Sequence, residues 1–257
     1  MEVKILGAHN IETRDTRLPC VLVDNIIAMD AGGLASSLTL TEQERIRAIL
    51  LSHRHYDHVR DIPILCLATF DTYTPLHVYG LEDTLGALHS YLLDGTIYPD
   101  FTMRPSKAHP KLLLTPVESQ EEFALFGYRV RPMAVPHKTP AVGYHLTSPS
   151  GSAIFYSGDT SGPLTETWQS LSMNLIIIEV TYPDQMLEAA RENGHLTPLM
   201  LRNELLSLRT SQGFIPPIVV VHMHPSFEND IRAQLQIVST DLGISITPAF
   251  EGLLLRV

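Results

Sequence analysis

Short apolar runs bounded by Gly, Pro, Asn and Asp recur along the chain, and this pattern predicts strands. They fall at Val3–Leu6, Cys20–Val23, Ile26–Asp30, Ala48–Leu51, His77–Tyr79, Lys111–Thr115, Tyr128–Val135, Val142–Thr147, Ser152–Tyr156, Leu175–Glu179, Ile218–Val221, Ile244–Ile246 and Gly252–Arg256. Longer mixed stretches predict helices at Thr41–Arg47, within Val59–Leu67, and at Leu81–Leu92, Pro198–Thr210 and Glu228–Leu242. The fourth has clear start chemistry, because Thr197 can cap it and Pro198 suits the first helical position. Helices placed outside two sheets are the simplest architecture for this mixture.

Composition narrows the picture. With 44% hydrophobic and 18% charged residues, the 257-residue chain can build a core, in one large domain or two small ones. The most apolar runs, Leu175–Ile178 and Ile218–Val221, are strand-sized, so no membrane span is expected. The stretch Met1–Gly7 lacks a basic segment followed by an apolar signal core, and Cys20 and Cys66 cannot make a disulfide framework; both features read as cytoplasmic. A formal charge of −10, with 18 scattered Lys and Arg, disfavours a nucleic-acid polymer as partner. The unusual count is 12 histidines, and their positions carry the chemistry.

The apolar run Ile49-Leu50-Leu51 leads through Ser52 into His53-Arg54-His55-Tyr56-Asp57-His58. In extended backbone, side-chain direction repeats every second residue, so His53 and His55 point the same way and can reach one metal ion. As the chain turns, Asp57 and His58 can reach a second point nearby. Imidazole with carboxylate suits zinc first, with manganese and iron as alternatives. Four further candidates follow apolar strands directly: Asp30, His137, Asp159 and His222. Each alone reads as a turn former or a hydrogen-bonded structural residue. Together they are a set of strand-end groups, and strand ends on one rim converge in space.

The pattern resembles the metallo-β-lactamase-fold hydrolases, whose signature is His-x-His-x-Asp-His followed by a His, an Asp and a His on later strands. The resemblance spans roughly residues 3 to 257. It implies an α+β fold, a four-layer αββα sandwich forming a single hydrolase domain over 1–257, with two divalent metal ions at one edge. It assigns His53, His55 and His137 to the first ion, Asp57, His58 and His222 to the second, and Asp159 as the bridge. Within that family, His195-Leu196-Thr197 is similar to a motif of the phosphodiesterase branch, which holds ribonuclease Z and the class II cyclic-nucleotide phosphodiesterases. The ending His222-Met223-His224-Pro225 looks more like the latter; the match makes His222 the ligand and puts His224 in a basic position.

Ribonuclease Z carries a long tRNA-gripping arm between the positions of His137 and Asp159. Here that interval is 159 − 137 = 22 residues, enough for a turn and two strands. A small phosphodiester, such as a cyclic nucleotide, is therefore the expected substrate, with a tRNA 3′-processing endonuclease less so. The resemblance implies attack by a metal-bridging hydroxide, with Asp57 and His195 catalytic, His195 supporting the leaving oxygen. Asp30, and Glu179 likewise, could orient a ligand histidine through its ring N–H. The ligands do not separate a phosphodiesterase from a lactonase, thioesterase or other ester hydrolase on the same fold, and a homodimer stays open. His55 argues against a redox iron pair, since iron centres of this fold usually carry a carboxylate there, and a dead binding module would have lost a ligand. Among the remaining histidines, His9, His77, His89, His109 and His145 read as structural or surface groups, with His9 nearest the pocket.

Overall fold

A computed structural model describes residues 1–257 apart from Tyr73 and Ser170. Two seven-stranded sheets dominate. The first runs in the order Leu254–Arg256, Glu2–Gly7, Cys20–Val23, Ile27–Met29, Ala48–Leu50, Leu76–Gly80 and Leu112–Pro116. The second runs Ile246–Pro248, Ile218–Val221, Leu175–Glu179, Ala153–Tyr156, Val142–Thr147, Tyr128–Ala134 and Phe123–Leu125. Each sheet is antiparallel on one side and parallel on the other, and the parallel strands Leu175–Glu179 and Ile218–Val221 are buried along their whole length.

The layers follow from which side chains share a core. Val3, Ile5, Val21 and Leu50 of the first sheet pack with Val130, Tyr144, Ile177 and Val219 of the second, so one face of each sheet meets the other. The opposite face of the first sheet is covered through Leu34, Leu65, Leu85 and Leu88, on the helices Leu34–Ser37, Ile62–Ala68 and Glu82–Leu92. That of the second is covered through Trp168, Leu201, Leu205 and Leu235, on Thr165–Gln169, Pro198–Gln212 and Glu228–Leu242. The result is helix, sheet, sheet, helix: the expected αββα sandwich. Among the described residues, no helix is long and apolar enough to cross a membrane.

Local chemistry explains both the agreements and the shifts. Thr197 does cap its helix, its Oγ1 accepting from the Met200 amide, with Pro198 in the first turn. The helix expected at Thr41–Arg47 is instead Leu40–Gln43, started by a Thr39–Glu42 capping box. It stops early because the Arg47 amide donates to the Ile26 carbonyl (2.8 Å) and feeds the chain into the sheet. The strand expected at Ile244–Ile246 lies at Ile246–Pro248, since Gly243 and Ile244 close the preceding helix. The pattern missed the edge strand Phe123–Leu125 and the hairpin of Pro105–Ser106 with His109–Pro110. It also missed four short helices: Leu34–Ser37, Tyr56–Val59, Thr165–Gln169 and Leu187–Asn193. Segments this short leave too little periodicity to read.

Candidate metal centre

The strands Ile27–Met29 and Ala48–Leu50 are parallel in the first sheet, and Ala153–Tyr156, Leu175–Glu179 and Ile218–Val221 are parallel in the second. Their carboxyl ends emit Asp30, His53, Asp159, Thr181 and His222 at one edge of the sandwich, the usual place for a site in sheets of this kind. The two sheets are tied there, because the Val142 amide donates to the Ser52 carbonyl (2.9 Å). Gly158, at φ +57°, lies so close to Ser52 that a Cβ would sit 2.5 Å from the Ser52 Cβ. No larger residue fits that approach.

The motif 53–58 changes geometry halfway. His55 is extended (φ −63°, ψ 146°) and immediately precedes the helix Tyr56–Val59, which carries Asp57 and His58. His53, His55, His137 and Asp159 converge with one donor atom each within 4.8 Å of one another, and so do Asp57, His58 and His222. Asp159 lies between the groups. Its Oδ2 is 3.7 Å from His53 Nε2, and its Oδ1 is 3.3 Å from His58 Nε2 and 3.4 Å from His222 Nε2. Of the two adjacent candidates, His222 enters this cluster and His224 stays on its rim. His222 does so in the left-handed backbone region, φ +62°, and Asp30 shares that conformation at φ +57°. Strain of about 1–3 kcal/mol at such residues persists only where the surroundings hold it.

The outer nitrogens of four rings are committed as donors. His58 Nδ1 donates to Asp30 Oδ2 (2.7 Å) and His137 Nδ1 to the Gly194 carbonyl (2.8 Å). Ser52 Oγ donates to Asp30, so His53 Nδ1 is the donor to Ser52 Oγ at 3.0 Å. Thr181 Oγ1 donates to Glu179 Oε2, so His222 Nδ1 donates to Thr181 Oγ1 at 2.7 Å. Each of these rings, when neutral, offers an Nε2 lone pair inward; against burial, the Asp159, Asp30 and Asp57 carboxylates raise the pKa of His58 well above that of a free imidazole, so an ion there would take the place of a proton. Among the described residues, the buried atoms His53 Nε2, His58 Nε2 and Asp159 Oδ1 have no hydrogen-bond partner, and His137 Nε2 faces His55 Nδ1 at 3.3 Å. Burying so many acceptors against one another is costly unless cations sit between them. The donor set therefore fits two divalent ions held by nitrogen and carboxylate oxygen.

Charge reinforces this. Burial works against the Asp159 carboxylate, but the surrounding imidazoles, His222 and His58 first, hold its pKa well below the usual range. Asp57 behaves alike: burial is outweighed by His58 and His222, and its pKa falls to about 2. Burial lowers the pKa of His53 well below that of a free imidazole, which keeps it neutral.

His195 stands beside the cluster on the end of the helix Leu187–Asn193. Gly194 takes the left-handed conformation that closes the helix, and the His195 amide donates to the Ala190 carbonyl (2.9 Å). The ring stacks at 5.2 Å on His222, and its Nδ1 donates to Glu179 Oε1 (2.8 Å). Burial disfavours charge on His195, but the Glu179 and Asp159 carboxylates outweigh it and raise its pKa to about 9.

Several placements differ from the sequence-based reading. Glu179 does not bond a cluster histidine directly; it takes His195 and reaches His222 only through Thr181. His224 is not a cation: burial lowers its pKa, and its Nδ1 accepts from the Ser226 amide. His9 does not line the cluster. It is buried, with Nδ1 2.7 Å from Glu251 Oε1 and Nε2 3.2 Å from Glu228 Oε2, and ties the start of the chain to its end. The sequence reading also passed over Ser52, Tyr156, Thr181 and Gly194. Each has a partner far away in the chain that no local pattern names, Asp30 for Ser52 and Tyr156, His222 for Thr181 and His137 for Gly194, and the local hint was their place at strand or helix ends.

The chain is similar to several known proteins. A probable 3′,5′-cyclic-nucleotide phosphodiesterase of Yersinia pestis is 27% identical over 239 residues, spanning 82% of this chain and 68% of that protein. A ribonuclease Z of Pyrococcus horikoshii is 26% identical over 153 residues, spanning 56% of this chain and 47% of that one. The crystal structure of unliganded yeast PDE1 superposes with a TM-score of 0.82 at 19% identity, covering 100% of this chain and 99% of the other, which shows a shared fold. The family described as the Beta-lactamase superfamily domain matches residues 21–249. With its αββα sandwich and its edge cluster of histidines and aspartates, the chain belongs to that superfamily, as one of its metal-dependent hydrolases.

Proposed function

We propose that residues 1–257 act as a single dinuclear metal-dependent phosphodiesterase domain for a small phosphodiester, such as a cyclic nucleotide, in the cytoplasm. The observation that carries this reading is His195. An imidazole held by a carboxylate, and biased by it towards the protonated form, beside the cluster of candidate metal ligands suits the charge and proton demand of a phosphate ester's departing oxygen. His53, His55 and His137 would hold one ion, Asp57, His58 and His222 the other, and Asp159 both. Zinc is the expected metal, with manganese or iron able to use the same donors. Bound there, the ions would supply water of lowered pKa and neutralise charge on the phosphoryl oxygens.

The chain's own groups do the rest. As the phosphorus–oxygen bond breaks, His195 Nε2 gives a proton to the leaving oxygen, while Glu179 holds the ring by Nδ1 and keeps it protonated beforehand. Glu179 is itself fixed, accepting from Thr160 N, Leu196 N and Thr181 Oγ1 besides His195. A small substrate is supported by the interval between His137 and Asp159, filled by the strands Val142–Thr147 and Ala153–Tyr156 and a short turn. The similarity to the cyclic-nucleotide phosphodiesterase supports the same class.

The test is a substrate screen with purified protein, with and without added zinc or manganese. Bis(p-nitrophenyl) phosphate and 3′,5′-cyclic nucleotides are expected to turn over, and chelation to abolish the activity. Turnover confined to lactones or thioesters would replace the reading with another ester hydrolase on this fold.

Asp30 carries a second expectation. Fully buried, it accepts from Ser52 N, Ser52 Oγ, Tyr156 Oη and His58 Nδ1, all at 2.7–2.8 Å. Asp30→Asn turns one acceptor atom into a donor, so at least one of these groups loses its partner, at about 1–3 kcal/mol each. The His58 ring also loses its orientation. Affinity at the second metal site should fall ~10–100-fold, together with a lower melting temperature. Competition against a chelator, run beside thermal melts, measures both; wild-type affinity in the variant would show that Asp30 does not orient His58.

A further inference from the structure

Beyond His195, the rim of the cluster continues as a row of rings. The His195 ring lies 5.2 Å from His222 on one side and 6.0 Å from Tyr182 on the other. Tyr182 in turn lies 6.2 Å from His224, their planes only 30° apart, and His224 lies 4.7 Å from Phe227. Tyr182 and His224 are half-buried and keep accessible surface, unlike the buried histidines at the centre.

The backbone that carries the row is held by hydrogen bonds. The Tyr182 and Thr181 amides both donate to the Leu196 carbonyl, at 3.4 and 3.1 Å, and the His224 amide donates to the Thr181 carbonyl at 3.2 Å. The loops after the strands Leu175–Glu179 and Ile218–Val221 are thereby locked together. The Ser226 amide, donating to His224 Nδ1, fixes that ring as well. The sequence reading assigned His224 a basic role and gave Tyr182 none.

We propose that Tyr182 and His224 form a stacking platform for the planar aromatic part of the substrate, a nucleobase, when its phosphate lies at the cluster. The inference deepens, and rests on, the phosphodiesterase reading. Two arguments carry it. The platform is continuous with His195, so a substrate whose leaving oxygen meets that ring extends over the next rings in the row. The platform also exists before any ligand arrives: both rings have few torsions and stand on backbone held by amide bonds, and the His224 ring is held by the Ser226 amide, so little freedom is lost on binding. Stacking on an aromatic face tolerates any base, because every base has a π-face. Tyr182 and His224 are thus specificity-determining residues that select nucleotides over other phosphodiesters without reading base identity.

The test compares adenosine 3′,5′-cyclic phosphate with 1-O-methylribose 3′,5′-cyclic phosphate, which has the same reacting ring and no base. For the wild type, KM of the sugar is expected to exceed that of the nucleotide by about tenfold or more. Tyr182→Leu should collapse this ratio towards one, and Tyr182→Phe, which keeps the ring, should preserve it; melting temperatures are taken in parallel. Equal KM values in the wild type, or a ratio unchanged in a folded Tyr182→Leu, overturn the platform. The wild-type comparison decides even if the leucine variant does not fold. Hydrolysis of neither substrate overturns the phosphodiesterase reading itself, a separate and visible outcome.

Discussion

His195→Ala is expected to lower kcat for phosphodiesters ~10²–10⁴-fold, the usual contribution of a positioned general acid. The His195 ring is held by Glu179 at 2.8 Å, and against the cost of burial the Glu179 and Asp159 carboxylates raise its pKa to about 9, which favours the protonated ring. A group in that state can give a proton to a departing alkoxide. The loss should therefore be large for poor leaving groups, such as a ribose alkoxide, and shrink for nitrophenolate, which leaves without help. The Glu179 side chain would keep its bonds from Thr160, Thr181 and Leu196, so the relay to His222 stays in place. Metal content should accordingly change little. The measurement is kcat of wild type and variant on both kinds of ester, with metal content and melting temperature alongside. Equal losses on both esters, or a metal-depleted variant, would assign His195 a different role.

Asp159→Ala should be the more damaging change for the metal centre. Its carboxylate lies near both sets of donors, 3.7 Å from His53 Nε2 and 3.3 Å from His58 Nε2. Without it, several imidazoles face each other with no negative charge between them, and two cations lose the anion that offsets their repulsion. Wild-type protein is expected to hold about two ions per chain, and the alanine variant to retain neither at ordinary affinity and to lose measurable turnover. Asp57→Ala is the informative contrast. It leaves the second site with His58, His222 and only a share in Asp159, while His53, His55, His137 and Asp159 remain at the first. One ion should then be retained. Metal titration of the three proteins decides: equal loss of both ions in Asp57→Ala would refute the partition, and two ions retained in Asp159→Ala would refute the shared role.

How much of this could be read before the fold was known divides along a physical line. The motif His53–His58 was legible because its logic is local. Extended backbone puts His53 and His55 on one side, and a turn brings Asp57 and His58 round, whatever the rest of the chain does. The main strands were legible for the same reason, since alternation, β-branching and turn residues act over a few positions. His137, Asp159 and His222 were visible only as residues that follow apolar strands. Their meeting depends on strand order, which brings residues over a hundred positions apart to one edge.

Finer assignments depended wholly on tertiary structure. Nothing local says that Glu179 pairs with His195 rather than a cluster histidine, or that Thr181 passes its influence to His222. Nothing local says that His9 is taken up by Glu228 and Glu251 from the far end of the chain. Hydrogen bonds and ion pairs are decided within a few ångströms, and a pairing across the fold leaves no periodic trace in the sequence. By itself the sequence determined which side chains could do chemistry and that they follow strands. Packing of the two sheets decided which of them meet, because only burial against a specific neighbour sets a ring's orientation, its proton and its charge.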